Sequence, residues 1–155
     1  MILNEDYRDI LQCFVDEGVE FLLVGAYAMA AHGYVRATLD MDLWIMPSAA
    51  NAEAVLKALR QFGAPVARVS ARDLQTENII FQIGVAPRRI DILTSADALR
   101  FGEAFKNAIV QDIDGITVPV LSISDLIRNK RATGRTKDLA DAEALEVARH
   151  SEEAE

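Results

Sequence analysis

Apolar residues recur at helical spacing near the start of the chain, at Tyr7, Ile10, Leu11, Phe14 and Val15, with Asn4 placed as N-cap, Glu5 and Asp6 in the first turn and Gly18 just past the end. This pattern predicts an amphipathic helix. The run Phe21-Leu22-Leu23-Val24 is wholly apolar and stopped by Gly25, which predicts a strand buried on both faces, followed by a small-residue helix from Ala26 to His32 that ends at Gly33. Thr38 to Ile45 alternates as a strand, Pro47-Ser48 opens a helix striped by Val55, Leu56, Leu59 and Phe62, and Gly63 closes it. Asn78 to Ile83 and Arg89 to Leu93 read as two strands of a hairpin, residues 96–106 as a helix, and Ala108 to Ile113 with Ile116 to Val120 as a hairpin around Asp114-Gly115. Helices near 123–133 and 138–149, broken around Gly134, finish the chain.

Helix and strand alternate first and hairpins follow, so the expected class is α/β (α+β), a mixed β-sheet flanked by helices. No internal repeat or linker divides the chain, and residues 1–155 are expected to form one domain with the helices of 123–149 appended to its core. At 51% hydrophobic residues the chain can bury a sizeable core, which excludes a disordered polymer. No apolar run approaches the roughly 20 residues that span a bilayer, and the acidic start is unlike a basic signal peptide, so no membrane association and a cytoplasmic location are expected. Cys13 is the only cysteine, which excludes an internal disulfide or a cysteine zinc site, and its place beside Phe14 is that of a packing residue.

The net charge of −8 is distributed unevenly: both ends are acidic and the stretch 21–141 is close to balance. A general attraction to nucleic acid is therefore not expected, and nucleic acid enters only as an acceptor.

On a strand, residues two apart point the same way, so Asp40 and Asp42 share one face while Met41, Leu43 and Ile45 share the other. Two carboxylates side by side disfavour each other's ionisation unless a cation sits between them, and strand formation itself does not ask for aspartate. Asp91, between Ile90 and Ile92, has the same setting. Three such acids on neighbouring strands would form a hard, oxygen-rich site suited to Mg²⁺ or Mn²⁺ and to phosphoryl transfer. The competing reading of Asp91 is a salt bridge to Arg88 or Arg89. Gly25, ending a buried strand and opening a helix, offers backbone N–H groups to a phosphate, although every α/β fold has such turns. Arg36 and Thr38 precede the acid pair and are candidates for contacting phosphate or ordering the carboxylates. In the basic stretch Arg128 to Lys137, Lys130 falls at the margin of the buried stripe, from where a cation could reach phosphates held near Asp40 and Asp42. His32, Tyr27 and Trp44 are assigned structural roles, and Asp138 is placed as a cap of the last helix.

The order strand, Gly25-Ala26, helix, Asp40-x-Asp42 and a later lone Asp91 resembles the nucleotidyltransferase superfamily typified by DNA polymerase beta. The text Gly25-Ala26-Tyr27-Ala28, His32-Gly33, Arg36, Thr38, Asp40, Asp42, with Ser124-Asp125-Leu126-Ile127, Lys130, Arg135, Lys137-Asp138 and Asp141, is similar to a small bacterial subgroup that includes abortive-infection toxin–antitoxin nucleotidyltransferases. The resemblance covers about residues 20–145. It implies that Asp40 and Asp42 bind the metals carrying a nucleoside triphosphate (NTP), that Asp91 helps bind the catalytic metal and activates the attacking hydroxyl, and that the Gly25-Ala26 turn holds phosphate. One departure is Ala26, where the family usually has glycine or serine. The expected activity is a metal-dependent transfer of a nucleoside monophosphate from an NTP to a hydroxyl of a protein, nucleic acid or small molecule. Two alternatives stand beside it: a weakly catalytic or non-catalytic component of a toxin–antitoxin pair that acts on a partner protein, and a carboxylate-based phosphohydrolase or nuclease. Pairing of two chains into a homodimer is a further open expectation.

Overall fold

The computed structural model describes residues 1–35, 40–85 and 88–154, and the expectations placed on Arg36 and Thr38 lie outside the described residues. Helix α1 (Glu5–Asp16) starts where Asn4 Oδ1 accepts a hydrogen bond from the Tyr7 N–H at 2.9 Å. Tyr7, Ile10, Leu11 and Phe14 are fully buried, as the spacing predicts. Val15, at the edge of the stripe, is instead 38% exposed, and Cys13 takes its place against the core.

Strand β1 (Phe21–Val24) is buried at every residue because it lies inside the sheet. Helix α2 (Gly25–Ala31) follows without an intervening loop, and β2 (Asp40–Ile45) returns antiparallel to β1. Helix α3 (Ala49–Phe62) is capped by the Ser48 hydroxyl and closed by left-handed Gly63. The buried Asn51 side chain accepts from the Glu20 N–H at 2.8 Å and donates to the Glu20 and Met46 carbonyls, tying the entry of β1 to the exit of β2. Two short 3₁₀ turns, Val66–Arg68 and Asp73–Gln75, connect α3 to the next strands and were not foreseen from periodicity.

Strands β3 (Ile80–Ile83) and β4 (Arg89–Leu93) form the expected antiparallel pair. Helix α4 (Phe101–Asn107) is shorter than the expected 96–106, because left-handed Ala98 (φ 65°) interrupts the helical course ahead of it. Strands β5 (Ile109–Ile113) and β6 (Ile116–Val120) turn through Asp114 and Gly115, both at positive φ as a two-residue hairpin loop requires. Helices α5 (Ile123–Thr133) and α6 (Thr136–Ala154) meet at left-handed Gly134, and α6 runs beyond the expected 138–149 at both ends.

The six strands lie in the order β3-β4-β2-β1-β6-β5, with β2 parallel to β4 and β1 parallel to β6, so the sheet is mixed as expected. Its core-facing residues Met41, Leu43, Ile45, Ile90 and Ile92 are all 1% exposed or less. On the opposite face of β2, Asp40 and Asp42 are followed by Trp44, which is buried edge-on against Phe101 of α4 at 5.2 Å. One face of one strand thus runs from carboxylates at its start to an aromatic pair at its end. Among the described residues no helix is long and apolar enough to cross a membrane.

Candidate active site

The parallel register of β2 and β4 sets Asp42 opposite Asp91 and Asp40 opposite Arg89. Alternation directs Asp40 and Asp42 to one face of β2, as Arg89 and Asp91 share one face of β4. The three acids therefore lie on neighbouring strands, with one addition. The Arg89 guanidinium stands among them: its Nη2 donates to Asp40 Oδ2 at 2.7 Å and to Asp91 Oδ2 at 3.3 Å, and its Nε lies 3.2 Å from Asp91 Oδ1. The last contact is misaligned for a hydrogen bond, which leaves the buried Nε and the buried Oδ1 related by charge alone. The salt-bridge reading of Asp91 is thus realised in this structure, through Arg89 and not Arg88. Arg88 lies near Asp6 of α1.

Asp42 is different. Its side chain makes no hydrogen bond or ion pair with another described residue, and burial, together with the charges of Asp91 and Asp40, pushes its carboxyl up to about 6 against the partial relief of Arg89 and Lys130. Burial also raises the Asp91 carboxyl; the charge and hydrogen bond of Arg89 oppose the rise, and the charge of Asp40 adds to it. Nearby, the Tyr7 hydroxyl donates to the Arg89 carbonyl at 3.0 Å and stays neutral, its ionisation pushed up to about 12 by burial, by Tyr27 and by the three aspartates.

Gly25 meets this cluster at the start of α2. Its φ is +66°, and a Cβ built on it would fall on Asp42 Oδ2, so the glycine is required both by the backbone and by the carboxylate beside it. Gly25 and Asp42 open onto a cleft of about 370 Å³ whose far wall is Lys130, Thr133, Arg135 and Asp138 of the closing helices. Ile79, Ile80, Leu93 and Ala96 give the cleft an apolar side, while Asn78, Ser95, Asp97 and Asn129 give it polar corners. Of the three acids, only Asp42 lines it.

Lys130 reaches the cleft from α5, but its ammonium is already engaged, 3.2 Å from Asp138 and 3.3 Å from Asp141. Asp138 is therefore not a simple helix cap. It is 2% exposed and also accepts from Thr133 Oγ1 at 2.8 Å and Arg135 Nε at 2.6 Å. Burial alone would raise its carboxyl, yet these hydrogen bonds and the Lys130 charge outweigh it and hold the group below the usual carboxylate range. His32, Tyr27 and Trp44 are structural as expected: His32 Nε2 is 2.8 Å from the Leu121 carbonyl, Tyr27 packs edge-on to Tyr7, and Trp44 is core. The sequence reading missed Arg89 as a bridge to Asp40, although its two-residue spacing from Asp91 already put both on one face. It also missed the polar corners of the cleft, which sit on turns without periodicity.

The chain aligns over 99% of its length with 97% of a candidate nucleotidyltransferase from Thermotoga maritima, at a TM-score of 0.59 and 17% identity. A crystal structure of ANT(2″)-Ia in complex with adenylyl-2″-tobramycin aligns with 94% of this chain and 93% of its own, at a TM-score of 0.54 and 18% identity. The solution structure of the same antibiotic-resistance factor gives 0.51, with 19% identity over 96% of this chain and 90% of that one. The chain has a nucleotidyltransferase fold. No protein-family model and no curated protein sequence matches it. The likeness to these solved structures therefore rests on architecture, at 17–19% identity.

A divalent cation is the group expected from the sequence. The donors suit one: three hard carboxylates, one of them raised by burial and by the charges of the other two, and a buried Asp91 oxygen without a hydrogen bond. Among the described residues, however, no three acids are gathered tightly enough to ring an ion, since the Arg89 guanidinium lies between Asp40 and Asp91.

Proposed function

We propose that the chain, residues 1–155 as one domain, is a nucleotidyltransferase that moves a nucleoside monophosphate from an NTP to a hydroxyl acceptor. The observation that carries this reading is the Asp42 carboxylate, placed opposite Asp91 by strand register, against Gly25, and open to a cleft walled by Lys130. In the reaction the acceptor oxygen bonds to the α-phosphorus, the bond to the bridging oxygen breaks, and pyrophosphate leaves. Asp40, Asp42 and Asp91 would hold Mg²⁺ or Mn²⁺, which when bound supplies positive charge against the triphosphate. Asp91, whose carboxyl is raised, orients the attacking hydroxyl and takes its proton. The Gly25-Ala26 turn offers backbone N–H groups to phosphate, and Lys130 contributes cationic charge to the cleft. Arg36 and Thr38 complete the phosphate contacts in this reading. The acceptor is a hydroxyl on a small molecule, protein or nucleic acid. Incubation with α-labelled NTPs and Mg²⁺ should release pyrophosphate, and Asp42→Asn should abolish the release; release unaffected by that substitution would sink the reading.

Two observations favour a second reading, a weakly catalytic partner-binding component of a toxin–antitoxin pair. Ala26 puts a methyl group at the phosphate turn, and Arg89 occupies oxygens of two of the three acids that a metal would need. Co-expression with the product of a neighbouring small gene, followed by co-purification, tests it. Failure of the two proteins to associate would remove it.

A further inference from the structure

Arg89 is the one basic side chain in contact with the acid cluster among the described residues, and its placement is specific. Its Cα partner across the parallel register is Asp40, its neighbour on the same face of β4 is Asp91, and the guanidinium contacts both. Its backbone is held in turn by Tyr7, whose hydroxyl donates to the Arg89 carbonyl. A guanidinium presents its donors in a fixed planar fork, so it can serve two carboxylates at once where a lysine would serve as a point charge. Asp42 lies outside this fork, and the charges of Arg89 and Lys130 relieve it only in part.

Resting on the nucleotidyltransferase reading, we propose that Arg89 is a resident counter-ion that competes with a divalent cation for Asp40 and Asp91. In the metal-free protein the guanidinium offsets part of the charge of the two acids and keeps the β2–β4 pair from being driven apart. An arriving cation takes their oxygens only as Arg89 withdraws. The residue thereby sets the threshold of metal concentration at which the site is assembled, and so acts as a positioning residue for the acids and not as a catalytic group.

The test is Mn²⁺ titration calorimetry on the full-length wild-type protein, Arg89→Gln, Arg88→Gln and Asp42→Asn, with thermal melts of each. Removing a charge-assisted pair of this kind should tighten Mn²⁺ binding by about tenfold or more in Arg89→Gln, and leave Arg88→Gln at the wild-type value. The Mn²⁺-induced rise in melting temperature should be larger in Arg89→Gln than in the wild type. Should Arg89→Gln fail to fold, the Arg89 Nε–H resonance of the wild-type protein carries the test: it should shift progressively on Mg²⁺ addition, and an unmoved resonance would overturn the proposal. Equal Mn²⁺ affinity in the wild type and Arg89→Gln, with binding lost in Asp42→Asn, would refute the competition while leaving the metal site intact. Absence of Mn²⁺ binding in every protein would remove both the competition and the metal-dependent reading on which it rests.

Discussion

Replacing Gly25 by alanine probes the point where backbone, carboxylate and cleft meet. Two separate effects act. The residue sits at φ +66°, where an L side chain costs about 1–2 kcal/mol. The new methyl group would also land on Asp42 Oδ2, with Asp42 Cγ 3.3 Å away and Cβ 3.4 Å away, an overpacking that costs about 1–3 kcal/mol more. The sum, about 2–5 kcal/mol, corresponds to a fall in melting temperature of roughly 4–20 °C in a chain of this size. Gly63→Ala is the control, because Gly63 is also left-handed, at φ +94°, and an added Cβ there meets nothing within 4 Å. It should lose only the conformational part, roughly 2–8 °C. Removing the obstacle should restore part of the loss: in Gly25→Ala combined with Asp42→Ala, the two effects should fall short of additivity by about 1–3 kcal/mol. The readout is differential scanning calorimetry in chelator. If Gly25→Ala melts with Gly63→Ala, or the double variant is additive, the carboxylate is not where the backbone puts it.

Further substitutions test the electrostatics. Asp42 ionises at about 6 in the folded chain, above its unfolded value, so the native state holds its proton longer and stability falls as pH rises from about 4 to about 6. Asp42→Asn should therefore match the wild type below pH 4 and exceed it by about 3 kcal/mol above pH 6 in chelator; equal stability at pH 8 would contradict this. Asp138 shows the opposite sign, because its carboxyl is held below the usual range. Asp138→Asn should be less stable than the wild type at pH 7 by about 1.5–3 kcal/mol, with the gap closing as acidification protonates the wild-type group, and urea titrations at the two pH values read the difference. Lys130→Met should cost about 3–5 kcal/mol by leaving buried Asp138 and Asp141 short of a cation, and adding Asp141→Asn should recover part of that loss in the same titrations.

The elements were legible because the chain states their periods plainly. The Tyr7-Ile10-Leu11-Phe14 stripe, the apolar Phe21–Val24 run and the alternating strands each match one face or one layer of the observed fold. The acid pair was legible from strand parity alone. What parity could not supply is register between strands far apart in the chain: nothing local says that Asp42 meets Asp91 while Asp40 meets Arg89. For the same reason Arg89 looked like a neighbour of Asp91 only. Asp138 was misread as a cap because a first-turn aspartate is ordinarily explained by the helix itself, whereas here its partners include Lys130 of the preceding helix. The early limit of the 96–106 helix failed at Ala98, whose left-handed conformation no propensity anticipates.

The parallel pairing of β2 with β4 has a consequence in time. Between these neighbours the chain must travel through α3, the two 3₁₀ turns and β3 before β4 can dock. Asp42 and Asp91 are thus apart until that long loop closes, and their repulsion enters at a late stage of assembly. The burden that the site places on the protein should consequently appear in how fast the native chain comes apart and much less in how fast it forms.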